Sequence, residues 1–202
     1  KLEYKVLDDA QLSFMKEVLS DFDLIGVRDR HTFDMINGWN VVASDKLERV
    51  PDPTLLTDVP VSKDIVRGHL ARCGVDLSKP LLGVTFSLPV IDDRLIPIYR
   101  KLGYQVIGFS SSARNVDINL PGRLDPFQWA QALGCMKLCF TNLFHGSIFC
   151  IKSGVPFLGF DYFNSSEYDT KMHCLLEEFD LLKCYVPVKN VDVYWNPAYE
   201  NI

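Results

Sequence analysis

Apolar residues recur along this chain with two different rhythms. In DDAQLSFMKEVLSDF (8–22) they fall at 12, 14, 15, 18, 19 and 22, one face of a helix. DLIGVRD (23–29) is a short unbroken apolar run closed by charges, the mark of a buried strand, and RHTFDMINGWN (30–40) returns to helical spacing with a stop signal at Asn37-Gly38. LERVPDPTLLTD then carries two prolines within three residues, which favours extended or turn backbone.

From residue 61 the pattern becomes a regular alternation. Helices are expected near 62–73, 92–104, 126–136, 145–154 and 168–181, each followed by a strand: 81–87, 105–111, 137–142, 155–162 and 183–188. These strands are continuously apolar, as when helices cover both faces of a parallel sheet. The expected fold class is therefore α/β, a Rossmann-like doubly wound parallel sheet over 61–202. Residues 1–60, with two helices, one clear strand and a proline-rich exit, read as the end of a preceding domain of the same kind, with the boundary at TDVPVS (57–62). The chain begins with Lys1 in patterned sequence, so further sequence upstream is expected.

Composition narrows the function. Of 202 residues 48% are hydrophobic, enough for a substantial core, and the net charge of −5 comes with no basic run, so nucleic acid is not an expected partner. An anionic ligand would need a local pocket. No apolar run reaches a membrane span, and the six cysteines show no CxxC pair, so a metal site is not expected and the thiols read as free in a reducing cytoplasm. A Walker lysine loop, a GxSxG elbow and a GxGxxG fingerprint are all missing.

Ligands of doubly wound sheets bind outside the C-terminal ends of the strands, which directs attention to four places. At TNLFHGS (141–147) a strand passes into a helix, with Leu143, Phe144 and His145 forming the turn and Gly146-Ser147 the first helical turn. Backbone amides and the helix dipole there favour a phosphate or carboxylate; Gly146 would allow close approach, and His145 would donate to the anion or act as a general acid. The plainer alternative is that His145 caps the helix and Gly146 eases a turn. At GVRDR, Arg28 has the fork geometry suited to phosphate or carboxylate and Asp29 is placed to orient it, or the group is a solvated charge cluster. FSSSARN offers Ser110 and Arg114, or only a polar loop, and Lys171 begins a helix from which it could reach an anion or face solvent.

Three segments together resemble the polysaccharide pyruvyl transferase family: GVRDRHTFDMI with VPDPTLL, then LDPFQWAQALGCMKLCFTNLFHGSIFCIKSGVPFLGFDY, then TKMHCLLEEF, in the family's order across 23–180. The resemblance implies two Rossmann-like halves arranged as in GT-B glycosyltransferases. It also implies transfer of a pyruvyl group from phosphoenolpyruvate, the donor substrate, to a sugar or lipid-linked oligosaccharide of a cell-surface polysaccharide, forming a ketal. No metal or other cofactor is implied, and the setting would be cytoplasmic, with peripheral membrane contact compatible with a lipid-linked acceptor. By motif, Arg28 matches the arginine of the family's Arg-acid pair and His145 the histidine of its His-Gly element. Leu143 stands where many members carry a donor-binding arginine, which removes one cation from that site. Two rival expectations are a nucleotide-sugar glycosyltransferase of similar architecture and an incomplete, non-catalytic module.

Overall fold

The computed structural model describes residues 7–161 and 170–188; Tyr162, Tyr168 and Asp169, at the ends of two expected elements, lie outside that range. The chain forms two compact units, Lys1–Pro53 with Asn164–Leu182, and Thr54–Phe163 with Lys183–Ile202.

In the first unit, helix α1 (Asp9–Ser20) starts at a capping box: Gln11 N donates to Asp8 Oδ1 at 2.8 Å and Asp8 N to Gln11 Oε1 at 3.1 Å. Strand β1 (Ile25–Val27), helix α2 (Arg30–Trp39) and strand β2 (Leu47–Arg49) make a βαβ unit whose strands pair in parallel, Ile25 opposite Leu47. Helix α2 runs past the expected stop at Asn37-Gly38. It ends at Asn40, which takes the left-handed conformation (φ 52°), and so keeps Trp39 packed against the Val27, Ile36, Val41 and Leu47 cluster. Strand β2 is an addition to the extended or turn reading of its segment.

The second unit opens with helix α3 (Lys63–Arg72) and continues through strand β3 (Leu81–Val84), a π-helical turn (Ile91–Leu95) leading into helix α4 (Ile96–Lys101), and strand β4 (Gln105–Gly108). After β5 (Ile118–Asn119) come α5 (Pro126–Leu133), β6 (Leu138–Thr141), α6 (Phe144–Ser153), β7 (Phe157–Asp161) and β8 (Tyr185–Pro187). The sheet is parallel throughout, ordered β5-β4-β3-β6-β7-β8, the Rossmann order. All residues of β3, β6 and β7 are buried, which explains their unbroken apolar sequence. Phe140, in the middle strand β6, is fully buried and meets Tyr99 and Phe160 edge-on at centroid distances of 5.6 and 5.9 Å.

Helix α7 (Lys171–Glu178) precedes β8 in sequence but groups with the first unit, unlike the single 61–202 domain expected. Arg30 Nη2 pairs with Glu177 Oε2 at 2.9 Å, and Arg49 pairs with Glu178. Both pairs are exposed enough to contribute only about 0.2–1 kcal/mol each. They link residues more than a hundred positions apart, a relation no local pattern announces.

Candidate functional site

Strand order reverses between β3 and β6, so the crevice of the second unit lies beyond the C-terminal ends of these two strands. Threonines fasten that edge. Thr85 Oγ1, just past β3, accepts from Asn142 N at 3.2 Å and lies 3.2 Å from Thr141 Oγ1, which accepts in turn from Leu143 N at 3.1 Å. The turn into α6 is thus held from both strands.

Helix α6 itself starts with no side-chain cap. Leu143 occupies the N-cap position with extended backbone (φ −96°, ψ 126°) and an apolar side chain, whereas α1, α2, α3, α5 and α7 are capped by Asp8, Asp29, Ser62, Asp125 and Thr170. His145, in the first turn, is exposed, and its ring stands edge-on to Phe144 at 5.4 Å. A positive helix end and an imidazole are therefore presented together.

Two neighbours do something other than expected. A Cβ on Gly146 would fall 2.4 Å from Thr141 Oγ1, so glycine here makes room for the chain's own threonine. Ser147 is fully buried; its amide donates to Leu143 O at 3.0 Å and its hydroxyl leans on the same oxygen at 3.4 Å. Its amide is therefore a helix donor, and an anion would be met by the turn ahead of it, 144–146.

The first unit holds the other candidates. Parallel pairing brings the C-terminal ends of β1 and β2 together, and Val50 N extends the ladder to Val27 O at 2.9 Å. Just beyond, Arg28 Nη1 meets Asp52 Oδ2 at 2.5 Å; the carboxylate is buried while the arginine side chain remains 37% exposed. Asp52 orients Arg28. The expected orienter, Asp29, is instead the N-cap of α2: Oδ1 accepts from Thr32 N at 2.8 Å and Oδ2 from Thr32 Oγ1 at 2.9 Å. Lys171 is exposed in the first turn of α7, in the same unit as Arg28.

Ser110 and Arg114 follow β4 in the second unit. The Ser110 hydroxyl is turned inward to Ser112, accepting from its amide at 3.2 Å and lying 2.8 Å from its Oγ, which makes it a turn residue; Arg114 is exposed. The expected residues thus divide into Arg28, Asp29 and Lys171 in one unit and Ser110, Arg114 and 144–147 in the other.

Sequence reasoning missed three groups. Asp52 could have been suspected as a carboxylate between two prolines that hold it extended. Asp161, buried at the end of β7, accepts from the Tyr185 hydroxyl at 3.2 Å, and Asp92, buried beyond β3, accepts from the Ser87 hydroxyl. Burial pushes the Cys139 thiol well above its ordinary range, so it offers no nucleophile. Among the described residues no group of three or more His, Cys, Asp or Glu is placed to hold a metal ion, and no helix is long and apolar enough to cross a membrane.

A family model described as polysaccharide pyruvyl transferase matches residues 3–165. Among solved structures, the wall teichoic acid polymerase TagF is similar: a histidine variant soaked with CDPG aligns at 10% identity and TM-score 0.42 over 90% of this chain and 45% of that one. Another TagF structure aligns at 11% identity and TM-score 0.41 over 84% of this chain and 44% of that one. The chain thus spans under half the length of these structures. No curated protein matches the chain.

Proposed function

Since the chain belongs to the polysaccharide pyruvyl transferase family, we propose that the complete protein transfers a pyruvyl group from phosphoenolpyruvate to two hydroxyls of a saccharide, in the cytoplasm, on a polysaccharide or its lipid-linked precursor. The observation that carries this reading is the start of α6, where a helix without a side-chain cap presents an exposed histidine at the switch point of the sheet.

The donor is a small trianion whose C2 carries both a phosphate and a carboxylate. A helix N-terminus suits one of them, and a guanidinium suits either in a bidentate fashion. The turn 144–146 and Arg28, steered by Asp52, are the groups of that type; Lys171 and Arg114 are further cations on the two units. Leu143 contributes no charge, so within the second unit the helix end and His145 are the groups suited to an anion.

In the reaction C3 of the enol takes up one proton and becomes a methyl group, leaving positive charge at C2. One acceptor hydroxyl forms a C–O bond to C2 and loses its proton. The second hydroxyl then forms its bond as the C2–O bond to phosphate breaks, and its proton accounts for the hydrogen phosphate released. Two roles fit His145: proton donor to C3, or ligand of the departing phosphate.

The test uses the full-length protein. Phosphoenolpyruvate raises its melting temperature and, with a saccharide acceptor, phosphate is released in step with ketal formation. Stabilisation by nucleotide sugars and not by phosphoenolpyruvate overturns the reading. A His145→Gln variant with unchanged phosphoenolpyruvate affinity and slow turnover assigns proton donation; a weakened affinity assigns phosphate binding.

A further inference from the structure

A cavity of about 420 Å³ opens beside α6, entirely within the second unit. His145 and Phe149 of α6 form one wall, Phe127 and Trp129 of α5 another, and Thr57 and Asp58 of the connection to α3 complete the rim. We infer that this cavity receives the acceptor: one pyranose ring of the saccharide, its C–H face laid on the aromatic wall and its hydroxyls turned to Asp58 and His145. The inference rests on the pyruvyl-transfer reading and adds to it the place where one ring of the second substrate is held.

Charge decides against the donor as occupant. Among the described residues no Lys or Arg lines the cavity, the neighbouring Lys152 ammonium is engaged by the carbonyls of Thr54 and Thr57, and Asp58 brings a carboxylate to it, so a phosphate or carboxylate would meet like charge at the rim. A wholly aliphatic ligand would use the walls but leave the polar rim without partners. A pyranose has both parts. Its axial C–H bonds are positively polarised and suit the negative faces of aromatic rings, while its hydroxyls donate to a carboxylate and exchange hydrogen bonds with an imidazole. The volume falls in the usual range of small-molecule clefts, about 300–1,000 Å³.

The wall is held in advance of any ligand. Trp129 Nε1 donates to Phe109 O at 3.1 Å, and its ring is set edge-on against Phe109 and Phe149 at 5.9 and 6.2 Å. Lys152 of α6 donates to Thr54 O at 2.7 Å and also to Thr57 O, fastening the segment that carries Asp58 to the helix that carries His145. Both polar groups are thereby referred to one helix, which lowers the ordering cost of binding. Phe127, 52% exposed despite its size, is explained as a stacking surface. His145 belongs to both the cavity and the α6 start, so an acceptor hydroxyl held against it lies on the side from which C2 of a donor seated there would be attacked.

The experiment uses full-length protein, a panel of methyl hexopyranosides (gluco, galacto and manno, both anomers), and the variants Phe127→Ala and Asp58→Asn, exposed positions whose change leaves the core intact. In saturation-transfer NMR, at least one pyranoside shows signal concentrated on its ring C–H protons, and Phe127→Ala abolishes it. In transfer assays the acceptor KM rises about tenfold for Phe127→Ala and severalfold for Asp58→Asn, while the phosphoenolpyruvate KM stays within about twofold. No pyranoside binding to wild type, an acceptor KM unmoved by either substitution, or a rise confined to the phosphoenolpyruvate KM each overturns the inference. Failure of the pyruvyl reading shows separately, as wild type that phosphoenolpyruvate does not stabilise. Phe127-dependent pyranoside binding would then still support a saccharide in the cavity.

Discussion

Helices α2 and α6 each come a few residues after a parallel strand, yet their first turns are finished in opposite ways. At α2 the cap is Asp29, whose two oxygens are taken by the backbone and hydroxyl of Thr32. The chain supplies its own anion to the positive end of the dipole, and the adjacent Arg28 turns to a different carboxylate, Asp52. At α6 the corresponding residue is Leu143, which supplies no side-chain cap, and the first turn carries an exposed histidine. A helix start at a strand end becomes an anion site only where the sequence declines to fill it. On the proposed reading the first unit offers an anion a side chain, Arg28, and the second offers the helix end itself with His145.

The largest effects should separate these two kinds of group. His145→Ala is expected to lower turnover by about a hundredfold or more, the usual scale for a lost acid or phosphate ligand, with the melting temperature nearly unchanged because the ring is exposed. Arg28→Ala should lower turnover comparably but also destabilise the fold, since it removes a charge-assisted bond to the buried Asp52 carboxylate, worth about 1.5–3 kcal/mol. Steady-state kinetics and thermal melts on the same preparations check both. Equal melting temperatures for the two variants would remove the contrast.

Gly146→Ala comes next. The added methyl would sit 2.4 Å from Thr141 Oγ1, and relief requires the turn to shift, an overpacking cost of about 1–3 kcal/mol together with displacement of His145. The double variant Gly146→Ala, Thr141→Ala should recover part of both stability and turnover, because it removes the oxygen that the methyl meets. Additive losses would mean that the contact does not define the turn.

These sites were legible in the sequence to different depths. The alternation after residue 61 announced the parallel sheet, and the passage from KLCFTN into HGS announced a helix start at a strand end. Strand β5 escaped notice because only Ile118 and Asn119 pair, too few for a period, and β2 because charged Glu48 and Arg49 interrupt its apolar pattern beside the prolines. Residue types at the site were readable but their partners were not. Asp52 reaches Arg28 across 24 positions, and the demand for glycine at 146 arises from a threonine five residues earlier whose direction depends on the strand. Asp29 misled for a physical reason: Asp next to Arg suggests an ion pair, whereas Asp just ahead of a helix is a cap, and here the cap prevailed.

Giving α6 what α2 has should weaken it as a binding site. Leu143 already has extended N-cap backbone, so Leu143→Asp can place a carboxylate over the first turn without refolding it. The helix should gain about 1 kcal/mol, a rise of about 2–4 °C in melting temperature for a protein of this size. Affinity for phosphoenolpyruvate should fall about tenfold, because the introduced anion both occupies the amides and repels the ligand. Calorimetric titration measures the second and a melt the first. A stabilised variant with undiminished affinity would place the donor somewhere other than the start of α6.

The smallest effect belongs to Asp29, and two substitutions there separate its two conceivable duties. If Asp29 serves as the cap of α2, Asn should replace it with little change, since the amide oxygen still accepts from Thr32 N, while Ala should cost about 1 kcal/mol. If its charge were what positions Arg28, Asn and Ala would be equally harmful to phosphoenolpyruvate affinity. The geometry favours the first outcome, because both oxygens of Asp29 are engaged by Thr32 and the guanidinium of Arg28 is engaged by Asp52. Asp29→Asn should therefore bind phosphoenolpyruvate within about twofold of wild type, and a loss of tenfold or more would return Asp29 to the binding machinery.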